Sequence, residues 1–159
     1  MNIESIAKSL LEQNRRVSIA EADTCGLVTY LLSTVPGSSR WCPGGVIAYT
    51  GGLKQSILGI SDEIHDVKGT VSPEMAIAMA SGVRNITKTD YGLSVTGIAG
   101  PTGSRPGLPI RTFYLGLSGP NNLEVVERLE STSNDRDINK RRAAEALIEL
   151  FEKELSKTD

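Results

Sequence analysis

Val17-Ser18-Ile19-Ala20-Glu21-Ala22-Asp23-Thr24-Cys25-Gly26-Leu27-Val28 changes periodicity within a dozen residues. Residues 17–20 form a short apolar run, the pattern of a buried strand, whereas Leu27, Val28, Leu31 and Leu32 recur at helical spacing. Between them stand Asp23 and Thr24, residue types whose side chains accept backbone N–H groups at helix starts. A strand that passes through a tight loop into a helix is the repeating unit of layered α/β folds.

The flanking sequence extends this pattern in both directions. Ile3, Ile6, Ala7, Leu10 and Leu11 predict an amphipathic helix ending near Asn14. Pro36-Gly37-Ser38-Ser39 stops the second helix, and residues 45–49 (Gly-Val-Ile-Ala-Tyr) predict another buried strand. A short helix follows at 54–58, then a polar connection or minor helix at 62–68. Ser72-Pro73-Glu74 combines a capping hydroxyl, a proline at the first helical position and a first-turn acid, and Met75, Met79, Val83 and Ile86 supply the expected core face. From Tyr91 a strand runs into a glycine-rich loop that continues to Pro109. Strands at 112–117 and 125–129 flank a turn at Gly119-Pro120-Asn121-Asn122, and a last helix spans 136–155 with Ile138, Leu147, Phe151 and Leu155 as core positions. The expected fold is α/β: a single layered domain over residues 1–159 with a mixed β-sheet flanked by helices.

Composition narrows the chemistry. A chain of 159 residues buries about 70% of its unfolded surface and needs no disulfide or metal to hold a core. Cys25 and Cys42 are too far apart for a C-x-x-C motif, and the lone histidine, His65, excludes sites that need two imidazoles. No metal site and no cofactor are expected. A net charge of -2 with scattered Lys and Arg argues against a nucleic-acid partner. No stretch approaches the roughly 20 apolar residues of a membrane span, and the first residues lack a basic leader, so a cytoplasmic location is expected.

The 16 glycines, about a tenth of the chain against about 7% on average, fall largely in loops. Three glycine-bearing loops each follow an apolar strand: residues 21–26, 50–52 and 97–103. Ligands of open α/β sheets sit beyond the strand ends, where backbone amides are available. The three loops are therefore expected to converge at one rim of the sheet. None matches the G-x-x-x-x-G-K-[ST] or G-x-G-x-x-G phosphate cradles.

Taken in order, these segments resemble the CinA C-terminal domain family, whose active bacterial members are nicotinamide-nucleotide amidases. Ala20-Glu21-Ala22-Asp23-Thr24-Cys25-Gly26 is similar to the family's A-E-S-C-T-G-G. Residues 36–41 and 45–54 resemble G-S-S-x-W-F and G-x-V-x-Y-S-N-x-x-K. Gly69-Thr70-Val71-Ser72 resembles G-A-V-S, and Thr96-Gly97-Ile98-Ala99-Gly100-Pro101-Thr102-Gly103 resembles S-G-I-A-G-P-x-G. Asp135-Arg136 through Lys140 to Ala143-Ala144 is similar to D-R-x-x-x-R-x-x-A-A.

The resemblance implies hydrolysis of the carboxamide of nicotinamide mononucleotide by a serine assisted by a lysine and a tyrosine. Lys54 and Tyr49 occupy those two positions, and a desolvated lysine serves as base where no histidine is at hand. Glu21, Gly26, Gly97, Ile98, Ala99 and Gly100 are the matching candidates for substrate binding, with loop amides as oxyanion donors. Arg136 and Lys140 suit a phosphate, although Lys140 stands where the family has a forked arginine.

The departures from the motif bear on the reaction. Ala22 occupies the nucleophile position, Asp23 replaces a cysteine, Cys25 replaces a glycine and Gly51 replaces an asparagine. The expectation is a degenerate amidase site with a ligand-binding or partner role. Two alternatives stay open: an active amidohydrolase using Thr24 or Cys25 as nucleophile, and a structural or assembly module. Thr24 also reads as a helix cap, Cys25 as a small core residue, Asp23 as a cap or first-turn acid, Trp41 as packing and His65 as surface. Expected partners are a pyridine nucleotide, a separately encoded nucleotide-hydrolysing domain of the kind fused to the family's bacterial members, and a second copy of the chain.

Overall fold

In a computed structural model that describes residues 1–103 and 107–157, the chain forms a five-stranded mixed sheet covered by helices on both faces. The chain order is α1 (Ile3–Glu12), β1 (Val17–Glu21), α2 (Leu27–Leu32), β2 (Gly44–Ile47), α3 (Gly51–Leu58), α4 (Pro73–Thr87), β3 (Tyr91–Ile98), β4 (Thr112–Ser118), β5 (Glu124–Glu130) and α5 (Arg136–Leu155). A 3₁₀ turn at Ser38–Arg40 precedes β2, and a π-type turn at Glu63–Lys68 precedes α4. Residues 104–106 of the long glycine loop, and residues 158–159 of the expected domain, lie outside the described residues.

The strand order is β2-β1-β3-β4-β5. β2, β1 and β3 are parallel, with Val17 opposite Tyr91 and Glu21 opposite Val95. β4 and β5 then add an antiparallel hairpin, so the sheet is mixed as expected. The parallel half carries the helical crossovers, and its C-terminal strand ends form the rim where the loops emerge.

Alternate strand residues feed two cores. Val17, Ile19, Leu93, Val95, Phe113 and Leu115 pack with α1, α2 and α5, around Leu10, Leu32, Trp41, Leu147 and Phe151. The other face carries Ala20, Ala22 and Ala48 against Leu58, Met75, Met79 and Val83. α4 lies very close to the sheet: a Cβ on Gly92 would stand 2.0 Å from the Ala80 carbonyl oxygen, and one on Gly116 would stand 2.6 Å from that of Ala76. Only glycine permits that approach.

Two expected core positions are corrected. Ile86 is 47% exposed and Ile138 is 53% exposed. On α5 the inward line follows Asn139, Ala143, Leu147, Phe151 and Leu155, every fourth residue, and Ile138 stands one position off it. On α4 the line Met75, Met79, Val83 continues to Thr87, whose hydroxyl donates to Val83 O and bonds to Ser18. Ile86 falls outside that line. Among the described residues no helix is long and apolar enough to cross a membrane.

Candidate functional site

The three glycine-bearing segments each reach one cleft of about 260 Å³, bounded by Asp23, Tyr49, Gly51, Lys54, Gly97 to Ala99 and Arg136, although Gly51 and Gly52 form the first turn of α3 and Gly97 and Ile98 end β3 rather than lying in loops. That volume lies just below the usual range of about 300–1,000 Å³ for small-molecule sites. Of the expected site residues, Glu21, Thr24, Gly26, Gly100 and Lys140 are outside its lining; Thr24, Gly26 and Lys140 line a separate groove, and Glu21 is turned to α2.

Glu21 ends β1 with its side chain on the α2 side, 1% exposed. Its Oε2 accepts from Thr24 Oγ1 at 2.6 Å, Gly26 N at 2.9 Å and Val28 N at 3.1 Å. Oε1 accepts from Thr29 N and Thr29 Oγ1, each at 2.8 Å. A single carboxylate thus satisfies the orphan amides of the first turn of α2. The residue at the cap position is Gly26, at φ 96°, and it makes no side-chain capping bond. The reading of Asp23 and Thr24 as caps is corrected accordingly: the Thr24 hydroxyl donates to Glu21, and Asp23 is free to face the rim.

Cys25 is exposed rather than a small core residue, at φ 53°, with Sγ 3.5 Å from Ala22 O. It lies in a separate groove with Tyr30, Asp137 and Lys140, away from the Lys54 cleft. Ala22 is buried, its amide donating to Val95 O at 3.0 Å, and its methyl belongs to the apolar cluster under α3 and α4. Trp41 is fully buried, as packing requires.

Lys54 projects inward from α3 and is 3% exposed. Its Nζ donates to Thr70 O at 2.8 Å and to Thr96 Oγ1 at 2.9 Å, and Thr96 Oγ1 itself donates to Thr70 O at 2.7 Å. Burial pulls the Lys54 pKa down to about 8, against which the negative charge of Asp23 acts. Asp23 is shifted the opposite way. Burial raises its pKa above the usual carboxylate value, while the Ala99 N–H and the charges of Arg136, Lys54 and Lys140 pull it back.

The glycine loop is held from both sides. Ala99 N donates to Asp23 Oδ2 at 3.0 Å, and Ala99 O accepts from Asn139 Nδ2 at 2.9 Å. Arg136 Nη1 donates to Gly100 O at 2.7 Å, and its Nη2 donates to the Tyr49 hydroxyl at 2.9 Å. Tyr49 remains half exposed at the mouth. At the start of α3, a Cβ on Gly51 would stand 2.1 Å from His65 Nε2, so the histidine ring occupies the space beside a residue without a side chain. His65 Nδ1 pairs with Asp66 Oδ1 at 2.6 Å.

Sequence reasoning missed Asp23, Thr70 and Asn139 at or beside this cleft. For Asp23 the signal was present, an acid beside Ala22 in a strand-end loop, but its neighbour Thr24 suggested a cap. Asn139 carried a weaker sign, a polar residue on the inward line of a helix. Among the described residues no cluster of three or more His, Cys, Asp or Glu is arranged to hold a metal ion. The cleft offers two cations, a tyrosine hydroxyl and a carboxylate, a lining complementary to a small polar molecule bearing both an anionic group and hydrogen-bond donors.

Comparison with known proteins identifies the family. The sequence matches the CinA C-terminal domain over residues 2–155. It is 38% identical over 151 residues to a CinA-like protein of Synechococcus sp., covering 94% of this chain and 36% of that protein. A CinA-like protein of Anaeromyxobacter sp. is 39% identical over 142 residues, 89% of this chain and 34% of that protein. The chain thus spans about a third of the length of these curated relatives. Among solved structures, competence damage-inducible protein A of Klebsiella pneumoniae superposes with a TM-score of 0.92 at 21% identity, covering 97% of this chain and 94% of that one. A competence/damage inducible protein of Agrobacterium tumefaciens gives 0.85 at 29% identity, covering 94% and 93%.

Proposed function

The chain belongs to the CinA C-terminal domain family, and from that premise we propose that its cleft binds a small anionic molecule of the pyridine-nucleotide class without performing the serine-dependent amide hydrolysis of the family's amidases. The observation that carries this reading is the pairing of a kept lining with a lost reactive group. Lys54, Tyr49 and Arg136 line one cleft, but the position of the serine is Ala22, whose methyl lies in the apolar core. A methyl group has no lone pair with which to attack a carbonyl. Loss of a nucleophile removes orders of magnitude in rate and leaves only what binding and oxyanion donors contribute.

The donors are altered as well. Hydrolysis develops negative charge on the amide oxygen, which preorganised N–H groups must meet. The Ala99 N–H is already committed to Asp23 Oδ2. Neither alternative nucleophile reaches the cleft lining: Thr24 is tied to Glu21 and Cys25 opens on another groove.

Two measurements on the wild-type protein test the reading. Nicotinamide mononucleotide is expected to raise the melting temperature, and no ammonia is expected to be released from it. Turnover that disappears in Thr24→Ala or Cys25→Ala would refute the proposal. Ala22→Ser, which returns the family's hydroxyl, separates the two losses. Hydrolysis that appears in that variant and vanishes on adding Lys54→Ala traces the inactivity to position 22 alone.

A further inference from the structure

The cleft lacks a nucleophile but contains a carboxylate that the reading above leaves without a task. Asp23 Oδ2 accepts the Ala99 N–H at 3.0 Å. Asp23 Oδ1 has no hydrogen-bond partner among the described residues, and it is not sealed in the interior, where the unpartnered side-chain oxygen is Thr112 Oγ1. It keeps some access to solvent, and the cleft is lined by Asp23. The neighbouring cations are turned to other partners, Lys54 to Thr70 O and Thr96 Oγ1, Arg136 to Gly100 O and the Tyr49 hydroxyl.

A carboxylate oxygen that faces a ligand accepts hydrogen bonds and donates none. A primary carboxamide offers it two N–H groups, whereas the corresponding acid is ionised at neutral pH and offers only like charge. The loop reinforces the distinction, because a ligand carboxylate seeking the Ala99 N–H finds Asp23 Oδ2 already there. We propose that Asp23 is a specificity-determining residue that accepts the carboxamide N–H₂ of the ligand, so that the cleft holds an uncut amide and rejects the acid that hydrolysis would make. The inference rests on the small-molecule reading of the previous subsection and names the group that the site recognises.

The probes are nicotinamide mononucleotide and nicotinic acid mononucleotide, which differ at that group alone, titrated calorimetrically into the wild-type protein at neutral pH. A hydrogen bond to an ionised acceptor, set against like-charge repulsion, corresponds to a preference of roughly ten- to a hundredfold for the amide. In Asp23→Asn the side-chain oxygen keeps the Ala99 bond while an N–H₂ group faces the ligand, so the two affinities should come within about threefold or reverse. Should that variant fail to fold, Asp23→Ser, which removes the charge, is expected to weaken amide binding and strengthen acid binding. Wild-type affinities that are equal or favour the acid, drawn by Lys54 and Arg136, overturn the role of Asp23 while leaving a small-molecule site in place. A ratio unchanged by Asp23→Asn does the same. Binding of neither probe at millimolar concentration removes the small-molecule reading and this inference together.

Discussion

α2 and α4 each start just after a loop that carries a threonine, yet they are capped in opposite ways. At α4 the cap is local: Ser72 Oγ accepts from Met75 N at 3.0 Å, three residues on, and Pro73 follows it. At α2 the cap comes from the preceding strand: Glu21, five to eight residues back, holds three backbone amides and two hydroxyls. The difference has a functional consequence. With Glu21 satisfying the helix, neither Asp23 nor Thr24 is needed as a cap, and Asp23 is available to the cleft. An arrangement at α2 like that at α4 would have spent the rim acid on the helix.

The largest expected effect lies at the remote cap. Glu21→Ala strands five donors at once, two of them fully buried, and each buried donor left unsatisfied costs about 1–3 kcal/mol, so a loss of about 3–5 kcal/mol is expected. Urea denaturation should show a fall of that order. A loss below about 1 kcal/mol would mean that α2 supports its own first turn and that the contrast with α4 is unimportant.

Next comes Lys54, which sits between the two helix starts. Its pKa of about 8 lies below the usual 10.5, so between those values the unfolded chain binds more protons than the folded one, and stability rises with pH across that window. Below pH 8 the folded state carries the full penalty of a buried ammonium. Lys54→Met removes the group, and Thr96 still donates to Thr70 O, so no polar partner is orphaned. Relative to that variant, the wild type should gain up to about 3 kcal/mol as pH rises from 8 to 10.5. Parallel pH profiles of unfolding would show an unshifted lysine if the two curves stay a constant distance apart.

What was legible in the sequence follows the same division between local and remote. α5 runs over Arg136–Leu155 and α4 starts at Ser72-Pro73 as expected, because caps and periodicity act within a turn or two. Tyr49, Lys54 and residues 97–99 share one cleft because each lies at or beyond the C-terminal end of a parallel strand, and parallel strands deliver those ends to one rim. Glu21 was read as a ligand contact because nothing in its neighbourhood announces a carboxylate reaching forward to Thr29. Asn139 and Thr70 were missed for the same reason. Their partners, Ala99 O and Lys54 Nζ, are distant in the chain and meet them only after the sheet has formed.

The smallest effect comes from a third helix start, that of α3, and it completes the series. Thr50 stands at the cap position with extended backbone, φ -101° and ψ 157°, as Ser72 does at φ -158° and ψ 162°. Both are hydroxyl residues, yet Thr50 makes no side-chain capping bond. Ser72→Ala should therefore cost about 1 kcal/mol, the usual value for a lost cap, while Thr50→Ala should stay within about 0.5 kcal/mol of wild type. The pair compares a hydroxyl cap that makes its hydrogen bond with one that does not, both on extended backbone. Equal losses would show that Thr50 caps α3 in solution. Loss at Ser72 alone would show that α3 keeps its first turn without a cap, through the packing of Lys54 and Leu58, its two buried residues.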